Sequence, residues 1–214
     1  MNDWRQKFER ANALWMYDGE PHPSKPHALL TSGKHSSGYF NGTNVVCHPG
    51  LTQDAASAMH AMALPAVENF VFLERRLAWV FGSAMGAITL AHELAKKFRC
   101  QAGYTEKDGD NMVVKRFEVG VNDSVLVCED VMTTGGTTIK TTAALEKMGA
   151  KIVPFIPVLV NRSGHRSLDS REVMGLVNRD LPIWTPEACP YCQAGSTAVK
   201  PKENWADLVG SPAT

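Results

Sequence analysis

A strand, a glycine-rich turn and a helix follow one another in the second half of the chain, and this arrangement constrains the fold most. Residues 124–130 form an apolar run of strand length that ends in two carboxylates, Glu129 and Asp130. Residues 131–136 predict a turn, and residues 137–148 predict a helix. A buried strand that leads directly into a helix is typical of α/β proteins with a parallel sheet.

A second unit of the same kind precedes the first along the chain. Residues 77–81 form an apolar strand-length run, residues 82–86 a turn of small residues, and residues 87–98 have helical periodicity. Residues 151–160 predict a further buried strand. This alternation predicts an α/β fold with a doubly wound, mainly parallel sheet that binds its ligands at the carboxyl ends of the strands.

The first part of the chain predicts smaller elements. Apolar spacing predicts a helix over 4–15, and three prolines predict a loop over 18–28. A turn and a short strand are expected within 30–40. An Ala- and Met-rich run predicts a helix over 51–64, which Pro65 is expected to end.

A polar turn centred on Gly109 lies between short β-prone runs, and it predicts a hairpin flap over about 104–118. No repeat or linker interrupts the sequence. We therefore expect a single domain over 1–214, with a hood formed by about 1–50 and 180–205.

Charge and cysteine content exclude several classes of protein. Lys+Arg and Asp+Glu both number 22, and the resulting net charge of zero argues against a nucleic-acid-binding protein. No apolar run approaches the roughly 18 residues of a membrane span, and the N-terminus lacks a signal-peptide core. We expect a cytoplasmic protein without a membrane partner. Five cysteines, an odd number, predict reduced thiols.

The turn after residues 124–130 carries a specific chemistry. A helix N-terminus with glycines and threonine hydroxyls offers donors to a phosphate monoester. Glu129 and Asp130 are repelled by phosphate, and they suit vicinal hydroxyls such as those of a ribose, or a metal ion that bridges to a ligand. The structural alternative is an incidental Gly-Gly turn that caps a helix.

Residues 125–137, VLVCEDVMTTGGT, resemble the phosphoribosyl pyrophosphate (PRPP) signature of type I phosphoribosyltransferases. Further segments are similar to those of orotate phosphoribosyltransferases. They are the base-binding loop at 30–40, the pyrophosphate loop at 82–86, the entry to the catalytic loop at 104–107, the strand end at 159–164, and the tail at 186–192 with 199–201.

The resemblance implies transfer of ribose 5-phosphate from PRPP to orotate, which gives orotidine 5′-monophosphate and pyrophosphate. It implies the type I phosphoribosyltransferase fold with a flexible flap and a small hood. Mg²⁺ would be carried mainly by PRPP, with no dedicated metal ligands on the protein. It also implies a homodimer whose flap closes over the neighbouring subunit's site.

The resemblance also assigns site residues. The catalytic candidates are Lys107, Glu129 and Asp130. The PRPP-binding candidates are Lys107, Lys115, Glu129, Asp130, Val131, Met132, Thr133, Thr134, Gly135, Gly136 and Thr137. The orotate-binding candidates are Lys34, Tyr39, Phe40, Thr133 and Arg162. The flap cations, Arg116 included, are alternatively an ordinary solvated hairpin, and the two aromatic residues are alternatively part of the core.

Two other functions stay open at this stage. One is a non-catalytic PRPP-binding regulator on the same fold, and the other is a phosphoribosyltransferase for another nucleobase. Three positions depart from the pattern of related enzymes: Ser83 stands where a proline is common, Ala87 where a glycine is common, and Glu106 where many members have arginine. These departures concern pyrophosphate binding and turnover.

Cys189 and Cys192 form a C-x-x-C pair, which fits half a zinc site, a redox pair or two plain thiols. No second C-x-x-C pair exists in the sequence. The adjacent residues Cys47 and His48 are the ones that could contribute further ligands to a zinc site. The histidines show no H-x-x-x-H spacing. We therefore expect two structural thiols.

Overall fold

The computed structural model describes residues 4–74 and 76–209. The chain divides into two compact units. The terminal unit comprises the chain up to Asn44 and the chain from Asp180 onward, and the central unit comprises Val45–Arg179. The terminal unit largely coincides with the segments expected to form a hood. That the two units act as one domain stays a prediction.

The elements of both units are short except for one long helix. The helices are α1 (Trp4–Arg10), α2 (Thr43–Val46), α3 (Pro49–Glu74), α4 (Ile88–Phe98), α5 (Gly136–Lys147), α6 (Pro190–Gln193) and α7 (Trp205–Val209), with a 3-10 turn at Pro186–Ala188. None of these helices is long and apolar enough to cross a membrane.

The strands alternate with the helices in the central unit. They are β1 (Leu14–Met16), β2 (His27–Leu29), β3 (His35–Ser36), β4 (Gly38–Phe40), β5 (Trp79–Ser83), β6 (Gln101–Asp108), β7 (Asn111–Val113), β8 (Ser124–Met132), β9 (Lys151–Ile152), β10 (Phe155–Asn161), β11 (Ser167–Leu168), β12 (Arg171–Asn178), β13 (Ile183–Trp184) and β14 (Ala198–Val199).

The sheet of the central unit runs in the order β11-β12-β10-β8-β5-β6-β7, and β9 also pairs with β8. Strands β12, β10, β8, β5 and β6 are parallel, and the edge strands β11 and β7 are antiparallel. The predicted α/β fold with a mainly parallel sheet is confirmed. From β5 the chain continues to β6 on one side and then to β8 on the other, so the order reverses between β5 and β8. Ligands of open α/β sheets bind at the carboxyl ends of strands at such a point.

Burial explains why these segments form the central strands. Every residue of β5 and β10 is buried, as are the first six residues of β8. Strands covered on both faces show such continuous apolar runs. Helix α4 packs against β5 and β6, α3 against α4 and β10, and α5 against β7, β8 and β9. This packing holds the ends of β5 and β8 in fixed positions.

The terminal unit contains two small sheets. Strand β1 pairs with β4, and the second sheet has the order β13-β3-β2-β14. The prediction of a helix over 4–15 is wrong in its second half, because α1 ends at Arg10 and Leu14 and Trp15 lie in β1. Asn12 adopts a left-handed conformation with φ of 52°, which asparagine tolerates and which stops a helix. Trp15 then packs with Leu208.

Two further boundaries differ from the predictions. Helix α3 continues through Pro65, although proline lacks an N–H and crowds the preceding turn. Ala63 and Val67 on either side of it are buried, so packing offsets the lost hydrogen bond. The strand expected over 151–160 is divided at Pro154 into β9 and β10. The predicted hairpin is present as β6 and β7, joined at Gly109, although it begins at 101 and its second strand ends at 113. That it acts as a flap stays a prediction.

Gly103 in β6 lies directly beneath the ring of Phe81. A Cβ at this position would lie 2.4 Å from Cζ of Phe81. That ring is fully buried, and it contacts Trp79 and Phe117 with ring centroids 5.5 and 5.7 Å away. We therefore expect Gly103→Ala to lower the free energy of unfolding by about 1–3 kcal/mol, as overpacking does in a rigid core.

The measurement is urea unfolding of both proteins. Gly50→Ala is the control, because Gly50 lies in the first turn of α3 and a Cβ there meets open space. That control should stay within about 0.5 kcal/mol of the parent chain. Equal urea midpoints for Gly103→Ala and the parent would show that the Phe81 ring moves aside for the added methyl group without cost.

Candidate active site

The turn after β5 packs directly against the end of β8. A Cβ on Gly86 would lie 2.1 Å from Oδ2 of Asp130, and a Cβ on Gly82 would lie 2.4 Å from the carbonyl oxygen of Ala87. Only glycine therefore fits at position 82, where the obstacle is backbone, and a Cβ at position 86 would displace the Asp130 carboxylate. The turn contains a cis peptide bond between Ala84 and Met85. The carboxylate of Asp130 and the backbone of residues 82–86 consequently share one small region at the sheet edge.

The turn after β8 leads into the N-terminus of α5. Gly135, just before the helix, has a φ of 77°, and a Cβ there would lie 2.6 Å from Cδ1 of Leu168. Thr133, Thr134 and Thr137 are exposed, and the first turn of α5 contains no acidic residue. Free N–H groups and the positive end of the helix dipole therefore point to a region that suits an anion. The segment has the features expected of a phosphate-binding turn.

The two carboxylates near the end of β8 have different surroundings. Glu129 is buried, and its oxygens accept hydrogen bonds from the Thr138 hydroxyl at 3.2 Å and from the backbone N–H of Asp130 at 3.3 Å. Burial, and after it the charge of Asp130, raises the pKa of Glu129 well above its usual range. Asp130 is half-buried and lies against the turn at Gly86. Asp130 is thus the carboxylate that is open to a ligand.

A row of buried hydroxyl groups supports Glu129 from below. The Ser83 oxygen lies 3.1 Å from Oγ1 of Thr141. Thr141 in turn lies 2.8 Å from Oγ1 of Thr105. These hydroxyls join the ends of β5 and β6 to α5. Sequence reasoning missed Thr105, Thr138 and Thr141, for which the available signal was threonine at strand ends and on the inner face of a helix. It noted Ser83 only as a departure, and in the structure Ser83 has a hydroxyl partner in Thr141 of α5.

Val131 and Met132 lie within β8 rather than in the turn predicted to begin at 131. The Met132 side chain is buried and packs with Ile156 and Val158, which leaves its backbone as the part available to a ligand. Gly136 begins α5, one residue earlier than predicted.

Arg162 follows β10, the strand next to β8. Its backbone N–H donates to the carbonyl oxygen of Met132 at 3.0 Å, which places it beside the start of the Thr133 turn. Its side chain is only 4% exposed. Of the orotate-binding candidates, Thr133 and Arg162 therefore lie at neighbouring strand ends of the central unit.

The flap pairs most of its charges internally. Nε of Arg116 lies 2.6 Å from Oε1 of Glu106, and Nζ of Lys115 lies 3.6 Å from Oδ2 of Asp108. Lys107 is exposed and makes no ion pair within the part of the chain that the structure describes. Arg116 thus pairs with Glu106, the residue that stands where related enzymes often carry arginine. Lys107 is the flap cation that is free to meet a ligand.

The remaining candidates lie in the terminal unit. Lys34 is exposed on the turn between β2 and β3. Tyr39 lines a cavity of about 500 Å³ within this unit, together with Leu30 and Lys200. Phe40 is 3% exposed and packs edge-on against Phe8 at 4.8 Å. For Phe40 the core-packing alternative has the stronger support, and Tyr39 is partly buried and packs edge-on against Trp205 at 6.0 Å.

Comparison with known proteins agrees with this geometry. A family model described as the phosphoribosyl transferase domain matches residues 57–188. Orotate phosphoribosyltransferase of Acidithiobacillus ferrooxidans is 34% identical over 176 residues, which are 82% of this chain and 87% of that protein. The chain belongs to the orotate phosphoribosyltransferase family. The resemblance inferred from residues 125–137 is thereby confirmed.

Solved structures support the type I phosphoribosyltransferase fold. The crystal structure of orotate phosphoribosyltransferase from Aeropyrum pernix matches with a TM-score of 0.63 and 20% identity, over 81% of this chain and 92% of that chain. Adenine phosphoribosyltransferase from Saccharomyces cerevisiae matches with a TM-score of 0.57 and 15% identity, over 83% and 100%. Enzymes for different bases thus share the fold of the orotate phosphoribosyltransferase family.

The raised pKa of Glu129 has a measurable consequence for stability. Above the ordinary carboxyl pKa near 4.5 the unfolded chain releases this proton readily, whereas the folded chain retains it. The contribution of Glu129 to stability must therefore fall as the pH rises toward its raised pKa. Glu129→Gln resembles the protonated side chain and lacks this dependence, so we expect the variant to gain in melting temperature relative to the parent from pH 5 to pH 8.

Melting curves at the two pH values test this expectation. Glu118→Gln, which replaces an exposed glutamate, is the control and should keep a constant difference from the parent. If the Glu129→Gln difference is the same at both pH values, Glu129 is not protonated preferentially in the folded chain.

Proposed function

We propose that this protein transfers ribose 5-phosphate from PRPP to N1 of orotate, which releases pyrophosphate and forms orotidine 5′-monophosphate. The observation that carries the proposal is the position of Asp130. Its half-exposed carboxylate lies between the close turn at Gly86 and the phosphate-binding turn before α5. A ribose phosphate needs a carboxylate that binds its hydroxyls next to a turn that binds its phosphate.

The 5′-phosphate is bound by residues 133–137. The exposed hydroxyls of Thr133, Thr134 and Thr137 and the N–H groups at Gly135 and Gly136 act as donors. Val131 and Met132 contribute through their backbone.

Asp130 accepts hydrogen bonds from the ribose hydroxyls. Its charge also stabilises the positive charge that develops on the ribose as the bond to pyrophosphate breaks. Glu129 lies behind Asp130 and accepts hydrogen bonds from the Thr138 hydroxyl and the Asp130 N–H. Glu129 reaches the ribose only when one of those bonds is given up. We therefore expect its main effect to be on the orientation of Asp130.

Pyrophosphate is a good leaving group, so catalysis requires cations around it and exclusion of water. Lys107 supplies one such cation from the flap, and Lys115 supplies a second when it leaves Asp108. Mg²⁺ would be held mainly by the oxygens of PRPP and would neutralise pyrophosphate charge when bound. Closure of the flap over the site would exclude water.

Orotate is a planar anion, and a cationic partner distinguishes it from neutral bases. Arg162 and Thr133 lie at adjacent strand ends and suit its carboxylate and carbonyl oxygens. Contacts from Lys34, Tyr39 and Phe40 stay predictions. We further propose a cytoplasmic homodimer whose flap closes over the neighbouring subunit's site, with no nucleic-acid or membrane partner.

The first experiment is an ultraviolet assay of purified protein with PRPP, Mg²⁺ and either orotate, uracil, hypoxanthine or adenine. We expect turnover with orotate alone. Asp130→Asn should lower kcat by about 10²-fold or more, because it removes charge that acts in the transition state. Asp18→Asn removes an exposed carboxylate from the terminal unit and should leave kcat unchanged.

The other outcomes identify the competing functions. Turnover with a neutral base and none with orotate would indicate another phosphoribosyltransferase. PRPP binding without turnover of any base would indicate the non-catalytic regulator. An Asp130→Asn enzyme with parental kcat would remove Asp130 from the mechanism.

Sharing of the flap between subunits can be tested with two inactive variants. The test uses a heterodimer of one Lys107→Ala subunit and one Asp130→Asn subunit. If each flap crosses to the partner, the Lys107→Ala subunit's unchanged Asp130 meets the partner's unchanged flap and forms one intact site. The other site then contains both changes. We expect the heterodimer, purified through two different tags, to have about half the parental activity, because one of two equivalent sites is intact. Activity no higher than that of either variant alone would show that each flap serves its own subunit.

A further inference from the structure

Four metal-binding side chains converge inside the terminal unit, far from the PRPP signature in sequence. His27 lies in β2, His35 in β3, Cys189 just before α6 and Cys192 within α6. One ligand atom from each residue lies within 4.8 Å of all the others. The two cysteines come from the C-x-x-C pair, and the histidines precede them by more than 150 residues.

The spacing of these atoms matches a tetrahedral site. Nε2 of His27 lies 3.0 Å from Nδ1 of His35 and 3.5 and 3.6 Å from the sulfurs of Cys189 and Cys192. Nδ1 of His35 lies 3.2 Å from the Cys192 sulfur. Zinc bonds of about 2.3 Å to sulfur and 2.0–2.1 Å to nitrogen place ligand atoms roughly 3.3–3.8 Å apart. One ion of that size therefore fits between the four atoms with small adjustments.

A hydrogen-bonded serine orients His27 for such a role. The Ser196 hydroxyl donates to the carbonyl oxygen of Lys25 at 2.6 Å. Its oxygen is therefore the acceptor for the Nδ1–H of His27, which lies 2.8 Å away. This arrangement places the proton on Nδ1 and leaves the lone pair of Nε2 directed toward the other three ligands. Histidine ligands of metal ions are held in this way by their second nitrogen.

Burial indicates a structural rather than a catalytic site. His27 and Cys189 are fully buried, His35 is 5% exposed and Cys192 is half-buried. Tyr191 stacks on His27 with ring centroids 5.4 Å apart. Four protein ligands complete a tetrahedral shell, and no position is left for water or substrate.

We propose that His27, His35, Cys189 and Cys192 bind one Zn²⁺ that fastens α6 to the strands β2 and β3. Two sulfurs and two imidazole nitrogens in a tetrahedral arrangement are the donor set that selects zinc over magnesium or calcium. The site is independent of the PRPP-binding turn, so the proposal does not depend on the enzyme's activity. The strands concerned contain only two or three residues each, and a metal ion would stabilise so small a sheet.

The decisive measurement is the metal content of the full-length, tag-free protein, purified with a reductant and without chelator. We expect one zinc per chain by mass spectrometry of the metal. Cys192→Ser and His27→Gln should lose it, and Cys47→Ser should retain it, since Cys47 is exposed and lies in the central unit. A chain that holds no zinc after purification and none after refolding with ZnCl₂ under reductant overturns the proposal.

A second readout covers the case in which a ligand variant fails to fold. Refolding of the parent chain with Co²⁺ should give the visible bands of tetrahedral cobalt and a sulfur-to-cobalt charge-transfer band. Ser196→Ala keeps all four ligands, and we expect about 10–100-fold weaker metal binding with the same spectrum at saturation. An octahedral spectrum without the charge-transfer band would exclude the cysteines as ligands. A cross-linked Cys189–Cys192 disulfide in the reductant-treated chain would also contradict the proposal.

The zinc should also stabilise the fold. We expect the parent chain refolded with ZnCl₂ to melt at a higher temperature than the same chain refolded with a chelator, and Cys192→Ser to show no such difference. Identical melting temperatures for the two parent samples would argue against a structural metal.

Discussion

The contact between the β5 turn and the end of β8 determines most of what this site can do. Gly86 leaves space for the Asp130 carboxylate, and the adjacent Glu129 is buried beneath it. The burial of Glu129 next to Asp130 opposes folding, because burial and repulsion both disfavour a charge on Glu129. The Thr138 hydroxyl donates to Glu129 but does not offset its burial, and the pKa of Glu129 stays raised. The arrangement thus gives up some stability at Glu129 and leaves Asp130 half-exposed at the edge of the site.

The central unit could be predicted from the sequence because its signals are local. Strands β5, β8 and β10 are continuous apolar runs, and glycines mark the turns at 82–86 and 131–136. Their chemistry could be inferred for the same reason, since Asp130 and the Thr133 turn are adjacent in the chain. The hydroxyl row could not be inferred. Ser83 and Thr141 are 58 residues apart, and only the packing of α5 beside β5 brings them together.

The terminal unit was less predictable because long-range pairing decides its structure. The apolar spacing of Leu14 and Trp15 continues a helical pattern, yet both residues enter β1 because pairing with β4 and packing with Leu208 outweigh it. The C-x-x-C pair had the same difficulty. The adjacent residues Cys47 and His48 were the further zinc ligands that the sequence suggested for this pair. In the structure, β2 and β3 bring His27 and His35 to it instead. No local sequence motif marks either histidine as a metal ligand, since each lies singly in a short strand.

Charge on the flap must act locally, because the flap has no net positive charge to attract pyrophosphate from a distance. Residues 104–118 contain four acidic and three basic side chains. Two of the cations already pair with Glu106 and Asp108 at exposed positions, where ion pairs contribute little and exchange readily. Under the proposed function, a pyrophosphate anion with its higher charge would compete well against a single exposed carboxylate. Glu106 would then hold Arg116 only until that anion binds, while Lys107 would need no such release.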